Sequence, residues 1–247
     1  MMKYKLLAQV AACAALLSAA ACVEYEAEPF TGQRLPRVTG YKSGVSNDWL
    51  YINLRTGKMY NEAAPNRDIR EGEQKTNEAV ALEWDVAFCG YQMRTNSGTS
   101  GVGHGGGADL GYGAYEKWTS KAQVEGVVFE EDDSASVSIV YSAADWTSHL
   151  TQMAKQGLIK FEDFEQYPWF DPNSGPRTMV ASANPVLSQA MSFSGPPPVY
   201  TASGHTYCIR SAEGERFYKF LLISWYDADS DIGDEGGRLC FYLDELK

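Results

Sequence analysis

Apolar residues recur at every second position through several short runs of this chain. Leu82, Trp84, Val86 and Phe88 do so, which puts their side chains on one face of an extended segment. Residues 48–60 read as a hairpin: Trp49, Tyr51 and Asn53 alternate with Leu50, Ile52 and Leu54, and Thr56-Gly57 supplies the turn. Further strands are expected over 121–129, over 134–141, where Val137, Ile139 and Tyr141 alternate with Ser136, Ser138 and Val140, and over 205–209, 216–225 and 238–243. Ala212-Glu213-Gly214 is the hairpin turn between two of these, and the acidic residues 130–133 read as a solvated turn. Helical spacing occurs once, over 143–161, where Trp146, Leu150, Met153 and Gly157 recur at three or four. Residues 61–79 are polar, a surface loop or short helix. Residues 162–184 carry Pro168, Pro172 and Pro176 and read as a long irregular segment, and Pro196-Pro197-Pro198 blocks regular pairing. The pattern predicts one all-β domain.

One stretch stands apart, residues 82–109, LEWDVAFCGYQMRTNSGTSGVGHGGGAD. A core strand runs into Gly98, Gly101, Gly103, Gly105, Gly106 and Gly107. Such density marks positions at φ > 0 or places where something approaches the backbone closely.

Composition adds bounds. The chain has 247 residues, and its aromatic content of 13%, with 15 Tyr, favours strands. A formal net charge of -11 argues against a nucleic-acid partner. Residues 1–22 read as a signal peptide: Lys3 and Lys5 precede an apolar run from Leu6 to Leu17 that is too short to span a bilayer. Ala19-Ala20-Ala21-Cys22 then resembles a lipobox, with Cys22 as the acylated residue. Ala19 stands where a large aliphatic residue is usual, so ordinary cleavage near Ala21 is the alternative. Residues 23–47 are rich in breakers and read as a flexible tether to a folded body over 48–247. Cys89, Cys208 and Cys240 lie in apolar strand-like runs without CxxC spacing, which favours buried thiols over a disulfide or a zinc site.

Candidate chemistry is sparse. His104 to Gly107, HGGG, lacks the G-x-S-x-G elbow a hydrolase needs, and no Lys-Ser or Lys-Thr follows to make a phosphate loop. The acidic residues 227–235 depart from a calcium loop at Ile232 and Arg238. No nucleophile–base pair is visible, so an enzyme is the least expected class. His149 lies among apolar residues, and Met153, Met179 and Met191 read first as core fillers, yet imidazole and thioether are the side chains that commonly hold haem iron.

The pattern W-D-x-A-F-x-x-Y followed by R-T-N-S-G-T-S-G-x-G-x-G-G-A resembles the HmuY family of haem-binding lipoproteins of Bacteroidetes. It rests on Trp84, Asp85, Ala87, Tyr91, Arg94, Asn96, Gly98, Ser100, Gly101, Gly103, Gly106 and Ala108. The W-x-Y-x-x-L-x-T-G pattern from Trp49 is also similar, as are Phe193-Ser194-Gly195-Pro196, Tyr200, Tyr207, Arg210, Gly214 and Lys219. The resemblance implies a single antiparallel β domain with long irregular ligand-binding loops, and haem (iron protoporphyrin IX) as cofactor between two axial ligands. It implies an outer-membrane, surface-exposed or shed protein that passes haem to a TonB-dependent receptor for iron acquisition. His149 fits the first ligand, since it precedes a Gln156-Gly157-Leu158 similar to the family's Q-G-F. The second ligand precedes the proline of F-S-x-G-P. Here Ser194 meets Gly195 directly, which leaves Met191 as the nearest ligating side chain and Met179 as the other choice, with Met153 beside His149. The competing expectation is the same fold with the ligands lost, serving another ligand or a protein partner.

Lipid anchoring has a direct check. Mass spectrometry of the mature N-terminus should find acylated Cys22, and Cys22→Ser should release the protein from membranes, because acyl chains contribute about 0.8 kcal/mol per buried methylene. An unmodified terminus at any other residue would rule the anchor out.

Overall fold

The computed structural model describes residues 30–34, 49–60, 81–140, 143–173, 175–194, 199–226 and 239–247. The signal segment with Cys22, the loop over 61–79, the triple proline and the acidic 227–235 lie outside them. Six strands come first: β1 (Gln33–Arg34), β2 (Leu50–Asn53), β3 (Lys58–Tyr60), β4 (Val86–Cys89), β5 (Gln92–Thr95) and β6 (Gly106–Tyr112). Then come β7 (Asp133–Val140), helix α1 (Ala143–Lys155), β8 (Phe170–Asp171), β9 (Gly175–Pro176) and β10 (Thr178–Ala183). The chain closes with β11 (Met191–Ser194), β12 (Val199–Ala202), β13 (His205–Arg210), β14 (Phe217–Ser224) and β15 (Cys240–Glu245). Every strand pairing among these is antiparallel, so the fold is all-β as expected.

Two sheets form the body. One has the order β1-β15-β14-β13-β6, the other β3-β2-β4-β5. Their facing side chains make the main core: Ile52, Val86 and Phe88 from the four-stranded sheet meet Ile209, Phe220 and Phe241 from the five-stranded one. Phe241 stacks on Phe88 at 6.0 Å and meets Phe220 at a tilt of 48°, 5.1 Å between ring centroids. Each such side chain removed from water contributes about 1.5–3 kcal/mol.

The outer faces are covered too, and this alters the sequence reading. Trp84 and Ala87 belong to a second cluster with Trp49, Tyr51 and Tyr60, on the other side of the four-stranded sheet from Val86 and Phe88. Leu82, expected on the core face, is 45% exposed and precedes the strand. The β4 run is therefore buried on both faces rather than on one. Residues 121–129 are not a strand. Lys121–Val124 is a 3₁₀ turn, fixed where the Ser120 N–H donates to Gln123 Oε1 at 3.0 Å. The apolar residues there serve a cover instead: Val124 and Phe129 pack over Ala108 and Cys208 on the outside of the five-stranded sheet. Both expected hairpins are present, with turns at Gly57 (φ 70) and Gly214 (φ 81). Cys89, Cys208 and Cys240 are buried thiols, and burial pushes Cys208 up to about 12.

The glycine loop winds around one side chain. Asn96 is fully buried; its Nδ2 donates to Ala81 O (2.7 Å) and Trp84 O (2.9 Å), and its Oδ1 accepts from Gly103 N–H at 3.0 Å. Gly105 N–H donates to Asn96 O at 2.9 Å. Only Gly98 of the six has a left-handed φ, at 49°. The remainder answer to close approach: a Cβ at Gly103 would lie 2.7 Å from Asn96 O and 2.8 Å from Ala212 O. Gly103→Ala should therefore cost on the order of 1–3 kcal/mol by overpacking, read as a lowered denaturation midpoint. Gly113→Asn, at φ 58 with open space around it, should be near neutral and serves as the control.

Candidate functional site

Between β6 and β11 the chain leaves the sandwich as a finger. Its stem is the β7–β10 ladder, with Val140 opposite Thr178 and Val137 opposite Ala181. The long irregular segment expected over 162–184 thus ends in a paired strand. Above the stem lie α1, a 3₁₀ turn at Phe161–Gln166 and the short β8–β9 pair. Helix α1 matches the expected periodicity and stops at Lys155, with Gly157 at φ 74 just beyond it.

His149 projects from α1 and is half-buried, its ring 5.3 Å from that of Trp146. Trp146 is fixed in turn, since its Nε1 donates to Tyr167 O at 2.8 Å. Met153 is one turn further along and half-buried. The finger also exposes apolar side chains. Leu158, Phe161, Tyr167, Phe170 and Val180 are five of the ten exposed large hydrophobic residues described, with Phe161 at 59%. Concentrated exposure of that kind marks a surface that meets something apolar. Met179 lies on the finger stem, opposite Ile139. Met191 lies elsewhere: it is 4% exposed and packed in the sandwich core. The structure thus gathers His149, Met153 and Met179 on one finger and places Met191 in the body.

A second projection is the β11–β12 hairpin, with Ser194 opposite Val199. Tyr200 seats it, 5.0 Å from the Trp225 ring and 5.6 Å from Tyr91. This aromatic seat has no sequence signature, because Tyr91, Tyr200 and Trp225 lie in three separate segments and share no period. Among the described residues no group of three or more His, Cys, Asp or Glu side chains could hold a bare metal ion. Nor is any helix among them long and apolar enough to cross a membrane.

The finger is held at its base by buried polar groups. Asp132, read from sequence as part of a solvated turn, is 4% exposed. Its Oδ2 accepts from Thr95 N–H at 2.9 Å, and its Oδ1 accepts from Thr95 Oγ1 at 2.7 Å and Asn184 Nδ2 at 3.1 Å. Burial raises its pKa, and these hydrogen bonds oppose the rise without cancelling it. Arg94 is fully buried on β5: its guanidinium donates to Ser182 O at 2.9 Å and lies 3.6 Å from the Trp49 ring. Asp85 accepts Leu54 N–H and Ala212 N–H, each at 2.8 Å, and so joins the two sheets. The motif residues Trp84, Asp85, Arg94 and Asn96 thus secure the framework.

The sequence matches the family described as HmuY protein over residues 46–242. The chain belongs to the HmuY family. Three solved structures are similar in fold. Apo PinO from Porphyromonas gingivitis is 16% identical, with 88% of this chain and 99% of that one covered and a TM-score of 0.49. The apo HmuY analog TFO of Tannerella forsythia is 15% identical, with 87% and 94% covered and a TM-score of 0.46. A candidate HmuY-like haem-binding protein from Bacteroides vulgatus ATCC 8482 is 17% identical, with 80% and 84% covered and a TM-score of 0.45. Comparison with curated proteins gives no match. The HmuY match takes in the four-stranded sheet, the finger and β6, β13 and β14 of the other sheet, and leaves β1 outside.

Asp132 gives this HmuY chain a testable pH response. Its pKa is raised in the folded protein above the ordinary 3.8, so the folded state binds the proton more tightly than the unfolded chain. The charged carboxylate therefore costs stability at neutral pH, and that cost is relieved as pH falls through the raised folded value. The stability deficit of Asp132→Asn relative to the parent should grow as pH is lowered from neutral toward about 4 in denaturant titrations. A deficit independent of pH would show that this carboxyl is not perturbed.

Proposed function

We propose that this HmuY-family protein binds haem against its finger and that the binding is capture rather than catalysis. The observation that carries this reading is the set of exposed apolar side chains on the segment that follows half-buried His149, tied to α1 where Trp146, beside His149, donates to Tyr167 O. An aromatic, apolar surface suits a porphyrin face, and imidazole suits its iron. Family membership supports haem at the level of the class. The relative from Bacteroides vulgatus is itself described as haem-binding. His149 is the first axial ligand in this proposal, and Trp146 sets the plane of its ring.

A thioether supplies the opposite ligand. Met191 can serve only if β11 releases its sulfur from the core, which would couple binding to a shift of the β11–β12 hairpin. Met179 on the finger stem is the other candidate, and the two are separable by substitution. Acylated Cys22 would tether the protein at the outer membrane, from which a TonB-dependent receptor would accept the haem. The lipobox-like residues and the family support that placement. The burial of Met191 favours one competing reading, in which the fold is kept, the iron ligands are lost and the finger grips another apolar ligand or a protein partner.

Hemin titration followed in the Soret region distinguishes them. The parent should give a saturable, six-coordinate spectrum, and His149→Ala should weaken binding at least about tenfold, roughly 1.4 kcal/mol, with a five-coordinate spectrum. A spectral change in Met191→Ala alone would identify the hairpin sulfur, and one in Met179→Ala alone the stem. Spectra indifferent to His149→Ala would establish the ligand-lost reading.

A further inference from the structure

The two sheets leave a cavity between them, away from the finger. It measures about 120 Å³. Its deep walls are Ile52, Val86, Phe88, Ile209, Phe220 and Phe241, each at most 5% exposed. Leu54, Met59 and Leu243 also line it and are only half-buried, as is fitting for a mouth. Gln33 on β1 and Met59 on β3 both belong to it, and β1 and β3 are the edge strands of the two sheets. The cavity therefore opens where the edges of the sandwich face each other.

Its chemistry is one-sided. Gln33 is the one lining residue with a polar side chain. A charged or strongly polar guest would lose its hydration there without replacement. Phe88, Phe220 and Phe241 form a continuous aromatic wall, with Phe88 and Phe241 inclined by only 16°. Such a wall offers both faces and edges to another ring. An engineered apolar cavity of about 150 Å³ in another protein stays dry and binds benzene, whereas drug-sized ligands need roughly 300–1,000 Å³. A tetrapyrrole is thus excluded, and a single ring fits. Met59 has a flexible side chain at the mouth that could have collapsed inward, yet the space is retained.

The geometry points to a second binding site, for a small apolar molecule the size of one aromatic ring, held between the sheets and independent of the finger. Benzene is the probe. With the full-length chain, methyl-detected NMR should show saturable shifts at Ile52, Val86, Met59 and Leu243, and the unfolding midpoint should rise with benzene concentration. Met59→Phe, at a half-buried edge position, should fill the mouth and weaken benzene at least about tenfold while leaving the hemin titration unchanged. Leu54→Phe provides a second filled variant should Met59→Phe fail to fold. No saturable methyl shift, equal benzene binding in a filled variant that folds, or competition between benzene and hemin would overturn the site.

Discussion

Asp132 stands where the finger leaves the sandwich, and its carboxylate is closed off from solvent with Thr95 of β5 on one side and Asn184, just past β10, on the other. Burying a charge is tolerable only when its oxygens are satisfied, and a buried donor stranded by its removal costs about 1–3 kcal/mol. The two ends of the finger thus cannot drift apart without breaking hydrogen bonds to a buried carboxylate. Arg94 repeats the constraint from the opposite charge, clasping Ser182 O while stacked on Trp49. Everything beyond Ser182 and Asp132 inherits its position from these contacts, the imidazole of His149 included. A small displacement at the base is magnified along β7 and β10, so the apolar surface at the tip depends on polar contacts in the stem.

Much of the architecture could be read from the chain because its strands alternate cleanly and its turns carry glycine where a left-handed residue is required. The two hairpins and α1 are of this kind. The failures share a cause. Alternation reports that a residue meets apolar surroundings, not whether its backbone pairs, so 121–129 has the pattern of a strand and is a lid over Ala108 and Cys208. Likewise Asp132 looked like part of a solvated acidic turn, because sequence carries no sign of Thr95 and Asn184 waiting to receive it. Proline in 162–184 correctly marked breaks yet hid β10, whose partner β7 is distant in sequence.

The site was legible only through kinship. His149 carries no local pattern that separates a ligand from a core histidine, and its promotion rests on the Gln156-Gly157-Leu158 that follows it. Met191 is singled out in the sequence by its nearness to Phe193, and its side chain lies in the core. The family's most specific residues, Trp84, Asp85, Arg94 and Asn96, turn out to secure the frame. That division has a physical sense. The frame needs fixed hydrogen-bond partners at fixed places, whereas an exposed finger can change ligands without disturbing any buried group. A family motif of this type therefore reports the scaffold with more authority than it reports the cargo.

The order of strands in the five-stranded sheet carries a consequence for how the molecule assembles. Strands β2 to β5 are neighbours in sequence and can pair as soon as they exist. By contrast, Gly106 pairs with Arg210 and Gln33 with Phe241, so the other sheet closes only across long stretches of chain. Loop closure of that length is entropically costly, though the cost rises only by about 0.6 kcal/mol for each doubling. The finger lies inside the excursion from β6 to β13. Once β7 and β10 have zipped and Asp132 has met Asn184, the ends of the excursion are already adjacent, and β13 is delivered beside β6. The finger is thereby also the shortcut by which its sheet closes.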